Sequence, residues 1–132
     1  MDLDERKRRA TKFLENFNQA DPEVFANLVS EDFHFEIVSG LKEFPPISGG
    51  REFAAREAQT LKQLFPGGLR LEIETLIAED QHVVALARAN TVAMNGKPYR
   101  QRYAFYLRFE GDRIAEGREY NDTNLVREVF LV

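Results

Sequence analysis

The sequence predicts an α+β fold: a strongly curved antiparallel sheet with helices packed on its concave side. Three observations lead there. Apolar residues recur at helical spacing in three segments of the first half, with one strand pattern between the second and third. Four consecutive strand patterns fill the second half. Asn95-Gly96 and Gly111-Asp112 stand between those strands as two-residue hairpin signals.

Each element has its own warrant. From Leu3 to Gln19, residues Leu3, Ala10, Phe13, Leu14 and Phe17 form one apolar stripe, and Asp2, Asp4 and Glu5 suit the positive end of the helix dipole. Asp21-Pro22 restarts the chain with a cap and a first-turn proline. The second helix, to about Val29, buries Val24, Phe25, Leu28 and Val29. Asp32 to Val38 reads as a strand, with Phe33, Phe35 and Ile37 on one face and His34 and Glu36 on the other. The Pro- and Gly-containing stretch that follows is a loop. A third helix, Arg51 to Phe65, sets Phe53, Glu57, Leu61 and Leu64 along one side and stops at Pro66-Gly67-Gly68. The strands are Leu69–Glu79, His82–Met94, Tyr99–Glu110 and Arg113–Asn121. Asp122-Thr123 caps a short last helix carrying Leu125, Val126 and Val129.

A chain of 132 residues suits a single domain, 1–132, with a sizeable core. Its 11 Phe without Trp point first to aromatic packing and second to an apolar pocket. A net charge of −4 gives no sign of a nucleic-acid partner, and the basic run Arg6-Lys7-Arg8-Arg9 lies among acids as a solvated helix face. The absence of Cys excludes disulfides, thiolate catalysis and Cys-based metal sites. His34 and His82 stand apart, so no metal is expected. Phosphate loops, dinucleotide fingerprints and nucleophile elbows are missing, so no cofactor is expected either. The charged N-terminus lacks a signal peptide's apolar core, and no apolar run approaches the ~20 residues that span a bilayer. The expectation is a cytoplasmic protein without a membrane partner.

Arg88 and Asn90 share a strand face with Leu86 and Val92, opposite Ala85, Ala87 and Ala89. Two readings fit this spacing. The polar pair is set into a pocket wall, or it lies on the outer face with Arg88 paired to a neighbouring Glu. Glu119 depends on register. Simple pairing across Gly111-Asp112 puts Ile114, Glu116, Arg118 and Tyr120 inside and leaves Glu119 outside. A bulge near Ala115-Glu116-Gly117 keeps Ile114 inside and turns Gly117, Glu119 and Asn121 inward. The bulged register is the reading adopted, because the simple one buries two charges and curved sheets use bulges.

Three segments together resemble the nuclear transport factor 2-like superfamily, in its SnoaL-like and ketosteroid-isomerase-like branch. They are Ser30-Glu31-Asp32-Phe33-His34-Phe35-Glu36, Ser48-Gly49-Gly50-Arg51-Glu52, and Phe109 to Ile114 followed by Arg118 to Asp122. The resemblance spans nearly the whole chain. It implies a cone-shaped, cystatin-like α+β barrel, a deep pocket between helices and sheet, and a homodimer packed through the sheet. Limonene epoxide hydrolases are similar here, with an Arg-x-Asp pair on one strand and an Asp on the last. Arg88 and Glu119 fall on the Arg and the second Asp, while Asn90 replaces the first Asp. An amide cannot take a proton from water as a carboxylate does. The acidic positions of ketosteroid isomerases fall on Ile37 and Phe105, and their helix Tyr falls near Phe13 and Phe17.

The expected pocket is walled by Phe13, Phe17, Phe35 and Leu61, with Phe65, Tyr103 and Phe105 completing it. Glu119 is the expected acid or base, Arg88 tunes it and polarises a substrate oxygen, and Asn90 orients water or substrate; Asn121 faces the same space. This describes a cofactor-independent isomerase, cyclase, dehydratase or hydrolase acting on a small, largely apolar, oxygenated molecule. The rival readings are a binding module without turnover and a dimeric assembly domain using the outer face at Ala104 and Tyr106.

Overall fold

The computed structural model describes residues 1–131. Its elements are α1 (Leu3–Gln19), α2 (Pro22–Leu28), β1 (Val29–Ile37), β2 (Ile47–Ser48), α3 (Gly50–Leu64), β3 (Leu71–Glu79), β4 (His82–Val92), β5 (Pro98–Glu110), β6 (Arg113–Asn121) and α4 (Thr123–Phe130). The expected α+β class stands, with α4 as a fourth helix and β2 as a short extra strand in the loop. The strands form one six-stranded sheet in the order β2-β1-β6-β5-β4-β3. Its pairs are antiparallel except β1 with β6, which are parallel, so the sheet is mixed rather than purely antiparallel. Hairpin turns dictate the direction of β3 to β6, whereas β1 reaches β6 from far along the chain, where no local signal sets direction. No helix among the described residues is long and apolar enough to cross a membrane.

The helix ends follow their local chemistry. Asp2 and Asp21 cap α1 and α2 by accepting from Glu5 N and Glu23 N. The basic run on α1 is tied down locally. Arg8 and Arg9 pair with Glu5, and Arg9 also donates to the Asp112 carbonyl at 3.1 Å. Gly50 begins α3 where a Cβ would sit 2.3 Å from the Ser30 carbonyl oxygen, so only glycine lets α3 close on β1.

Phe packing dominates one end of the core. Phe13, Phe17, Phe25, Phe33, Phe35 and Phe53 are all at most 1% exposed, with neighbouring ring centroids between 4.8 and 6.4 Å. Most of these contacts are edge-to-face, the arrangement that the ring quadrupoles favour. Phe17 on α1 meets Phe105 on β5 at 5.5 Å, joining helix layer to sheet.

The bulge in β6 is present. Phe109 pairs with Ile114 and Arg108 with Glu116, leaving Ala115 as the extra residue. Ile114 and Ala115 are both buried, and beyond them Gly117 and Glu119 point inward. Glu116 is thereby turned outward, where it accepts from Arg108 Nε at 3.3 Å and Arg118 Nε at 2.8 Å. Gly117 marks the tightest point. A Cβ there would lie 3.0 Å from Phe35 Cδ1 and 3.2 Å from Phe33 Cζ. Gly117→Val is therefore expected to cost roughly 1–3 kcal/mol by overpacking. A urea midpoint equal to that of the parent protein would contradict this.

Candidate active site

The alternation that the bulge resets delivers Glu119 to the sheet's inner face. Glu119 pairs with Ile37 of β1 on one side and Phe105 of β5 on the other. These are the two positions to which the ketosteroid-isomerase resemblance assigned acids, so the chain's carboxylate stands on the strand between them. Glu119 is 7% exposed, and its Oε2 accepts from Asn121 Nδ2 at 2.9 Å.

A second buried carboxyl faces the same space. Glu57 lies on α3 between Phe53 and Leu61, one turn to either side, on the helix's buried stripe, and it is 6% exposed. Both carboxyls line a pocket of about 150 Å³ between α3, the sheet and α4. Phe17, Phe35, Leu61 and Phe65 contribute its apolar wall, as expected, and Tyr103 and Asn121 line it too. The segment following β1 adds Ser39, Leu41 and Phe44 to the lining, and α3 adds the exposed Arg56 and the half-buried Thr60. From the far side α4 supplies Val126 and Phe130. That helix is held at both ends. Asp122 accepts from the N–H groups of Asn124 and Leu125, and Asn95 donates to the Val129 carbonyl at 2.7 Å. Asp122→Ala is expected to destabilise the protein by about 1 kcal/mol through loss of the cap. Hydrogen exchange should show faster opening in α4 than in α1; uniform protection would count against it.

Burial sets the ionisation of the two acids. Desolvation raises Glu57 to about 8, with the nearby charge of Glu119 adding to the rise. Desolvation also raises Glu119 to about 7, and the hydrogen bond from Asn121 opposes it. Near neutral pH the pocket therefore holds one carboxyl largely protonated and another near the midpoint of its titration. Two tyrosines complete the polar set. Tyr99 and Tyr103, four apart on β5, join hydroxyl to hydroxyl at 2.8 Å. Burial raises both phenols, so both stay protonated. One of their two protons is used in the mutual bond, and the other is free to point at a pocket ligand.

Several expected site residues lie elsewhere. Arg88 and Asn90 are exposed on the outer face of β4, because the inner face is taken by Ala85, Ala87 and Ala89. Arg88 pairs there with Glu72 across the β3–β4 ladder at 3.2 Å. The outward reading of that spacing is the one the structure bears out, and the Glu119–Arg88 pair does not form. Phe13 and Phe105 are wholly buried and off the pocket wall: Phe13 packs in the Phe cluster, and Phe105 backs Tyr103 at 5.2 Å. Glu57 and Tyr99 were not anticipated as site residues. Glu57 did carry a signal, since an acid on an otherwise apolar helix stripe is either paired or functional. Tyr99 shares the parity of Tyr103 and Phe105. Among the described residues no group of three or more His, Cys, Asp or Glu is placed to hold a metal ion.

Comparison with known proteins agrees with this architecture. The profile of the SnoaL-like domain family matches residues 10–117. No functionally curated protein matches the sequence. Among solved structures, a candidate isomerase from Bacillus subtilis is similar over 98% of this chain and 96% of its own, with 22% identity and a TM-score of 0.85. A nuclear transport factor 2-like protein of unknown function from Burkholderia pseudomallei aligns over 97% of this chain and 98% of its own, at 18% identity and TM-score 0.83. An LEH-like epoxide hydrolase from M. tuberculosis covers 98% of this chain and 91% of its own, at 19% identity and TM-score 0.79. At these identities the likeness is one of fold. The sequence match over residues 10–117 establishes that the chain belongs to the SnoaL-like domain family.

Proposed function

We propose that the pocket performs acid/base chemistry on a small, largely apolar molecule carrying oxygen. Glu119 acts as the base, Glu57 as the acid, and the Tyr99–Tyr103 pair donates one hydrogen bond to the reacting oxygen. The observation that carries this reading is the pair of buried carboxyls facing one apolar pocket, with their ionisation separated by environment. In an isomerisation, Glu119 takes a proton from carbon beside a carbonyl while Glu57 protonates the carbonyl oxygen; the enol then gives its proton back and receives one at a new carbon. Hydrolysis, dehydration or cyclisation uses the same two transfers on other bonds. No step in this scheme calls for a cofactor. The Glu/Arg pair expected from sequence is replaced by a Glu/Glu pair.

We propose also that the chain acts as a homodimer joined through the sheet's outer face, where Tyr106 bonds His82 at 2.7 Å and lies under Arg118. Native mass spectrometry, followed by denaturation and extraction, tests both readings. A dimeric mass with a co-purifying neutral oxygenated compound supports them, and that compound guides a panel of epoxides, enones and hydroxy-ketones for turnover assays. A monomeric mass removes the dimer. A panel on which Glu57→Gln and Glu119→Gln turn over as fast as the parent protein removes the acid/base site.

A further inference from the structure

We propose that the same pocket binds a small organic ammonium ion, held between Glu57 and Glu119 with its alkyl groups against aromatic walls. This goes beyond the acid/base reading, since it adds a charged ligand class to the neutral one.

The argument begins from what the two acids lack. Among the described residues no Lys, Arg or His pairs with either. Glu119 accepts, among the described residues, only from Asn121, and Glu57 feels burial and the Glu119 charge but no donor. Glu57 is thus an unpartnered carboxyl more than nine-tenths buried on a pocket wall. The protein's own cation at this pocket, Arg56, is exposed and leans on Glu52 at 3.5 Å. Buried carboxylates are ordinarily paired. Here the missing partner has a cavity in which to sit.

The walls select the kind of cation. Phe17, Phe35, Phe65, Tyr99, Tyr103 and Phe130 line the space, and aromatic rings attract alkylammonium groups through their quadrupoles. A metal ion would forgo most of its hydration for two carboxyls and little else, whereas an alkylammonium carries both the N–H donors that carboxylates accept and the apolar surface that rings bury. A volume of about 150 Å³ suits a six-membered ring or a few short alkyl arms. The titratable or charged groups bordering the space are Glu43, Arg56, Glu57, Tyr99, Tyr103 and Glu119. The tyrosines stay neutral, so the two glutamates alone can supply charge deep inside. At pH 7, where Glu57 is largely protonated and Glu119 only half ionised, cation entry draws protons off the pair.

Titration calorimetry with cyclohexylammonium chloride and with neutral cyclohexanol tests the proposal on the intact protein at pH 8. The ammonium is expected to bind about tenfold tighter than the alcohol. Glu57→Gln and Glu119→Gln are each expected to weaken the ammonium by about tenfold and to leave the alcohol within about threefold. Should either variant fail to fold, the parent protein still decides: at pH 7, buffers of different ionisation enthalpy should reveal proton release on ammonium binding. Ammonium binding that is absent, no tighter than the alcohol, or free of proton release overturns the proposal. Alcohol binding in that case leaves the neutral-substrate reading intact. Ammonium binding without alcohol binding supports the cation site and counts against the neutral substrate.

Discussion

Glu119→Gln is expected to lower kcat by roughly 10²- to 10⁴-fold, the usual loss when a positioned base is removed, while binding of a neutral substrate is retained. The substitution keeps the side chain's shape. Its amide oxygen can still accept from Asn121, so the inner face of β6 stays as it is. What disappears is the ability to take a proton. The pH profile sharpens the expectation. A base near 7 and an acid near 8 confine activity to a narrow bell, rising through the first value and falling through the second. Glu57→Gln should remove the alkaline limb, and its rate should be low but nearly flat above neutrality. A Glu119→Gln protein that turns over at the parent rate would exclude Glu119 as the base. A bell that survives unchanged in Glu57→Gln would exclude Glu57 as the acid.

The fold was legible where local rules act alone. Two-residue turns, apolar stripes and capping acids located β3 to β6 and all four helices to within a few residues. The bulge was legible because the alternative buried Arg118 and Glu116, a cost no core accepts, and because Gly117 marked the strand. Arg88 and Asn90 were ambiguous for a reason of the same kind. A strand fixes which residues share a face but not which face is inner, and Ala85, Ala87 and Ala89 are too small to declare it. Only the folded core decides: the three alanines are at most 3% exposed and belong to one buried cluster with the Phe side chains. Glu57 was hidden by another limit. Its position on the apolar stripe was plain, yet its meaning depended on meeting Glu119 across a cavity, which no spacing along one helix can reveal. The long-range pairing of β1 with β6 was out of reach for the same reason.

The two buried acids make the second large expectation, that stability falls as pH rises through the neutral range. In the unfolded chain both carboxyls ionise near 4.5; in the folded protein they do so only near 7 and 8. Between those limits the folded state holds protons that the unfolded state has released. Raising the pH therefore favours unfolding, by up to about 1.4 kcal/mol per pH unit for each group. Across pH 5 to 8 the loss should amount to a few kcal/mol, a large part of the stability of a small domain. At the acid end the sign reverses. Glu116, between Arg108 and Arg118, is held below its usual value, so its contribution is present above that value and lost as pH falls. Greatest stability is thus expected near pH 5, with urea midpoints declining toward pH 8. Glu57→Leu should raise the midpoint at pH 8, flatten the decline and leave the midpoint at pH 5 nearly unchanged, since at that pH the native glutamate is already neutral. A midpoint that holds constant from pH 5 to 8 would show that neither carboxyl resists ionisation, and with that the division of labour between acid and base would fall as well. A steep decline relieved by Glu57→Leu would show instead that the fold sacrifices stability at neutral pH to keep two unpaired acids in one pocket, a cost with no structural return and therefore one that only a ligand or a reaction explains.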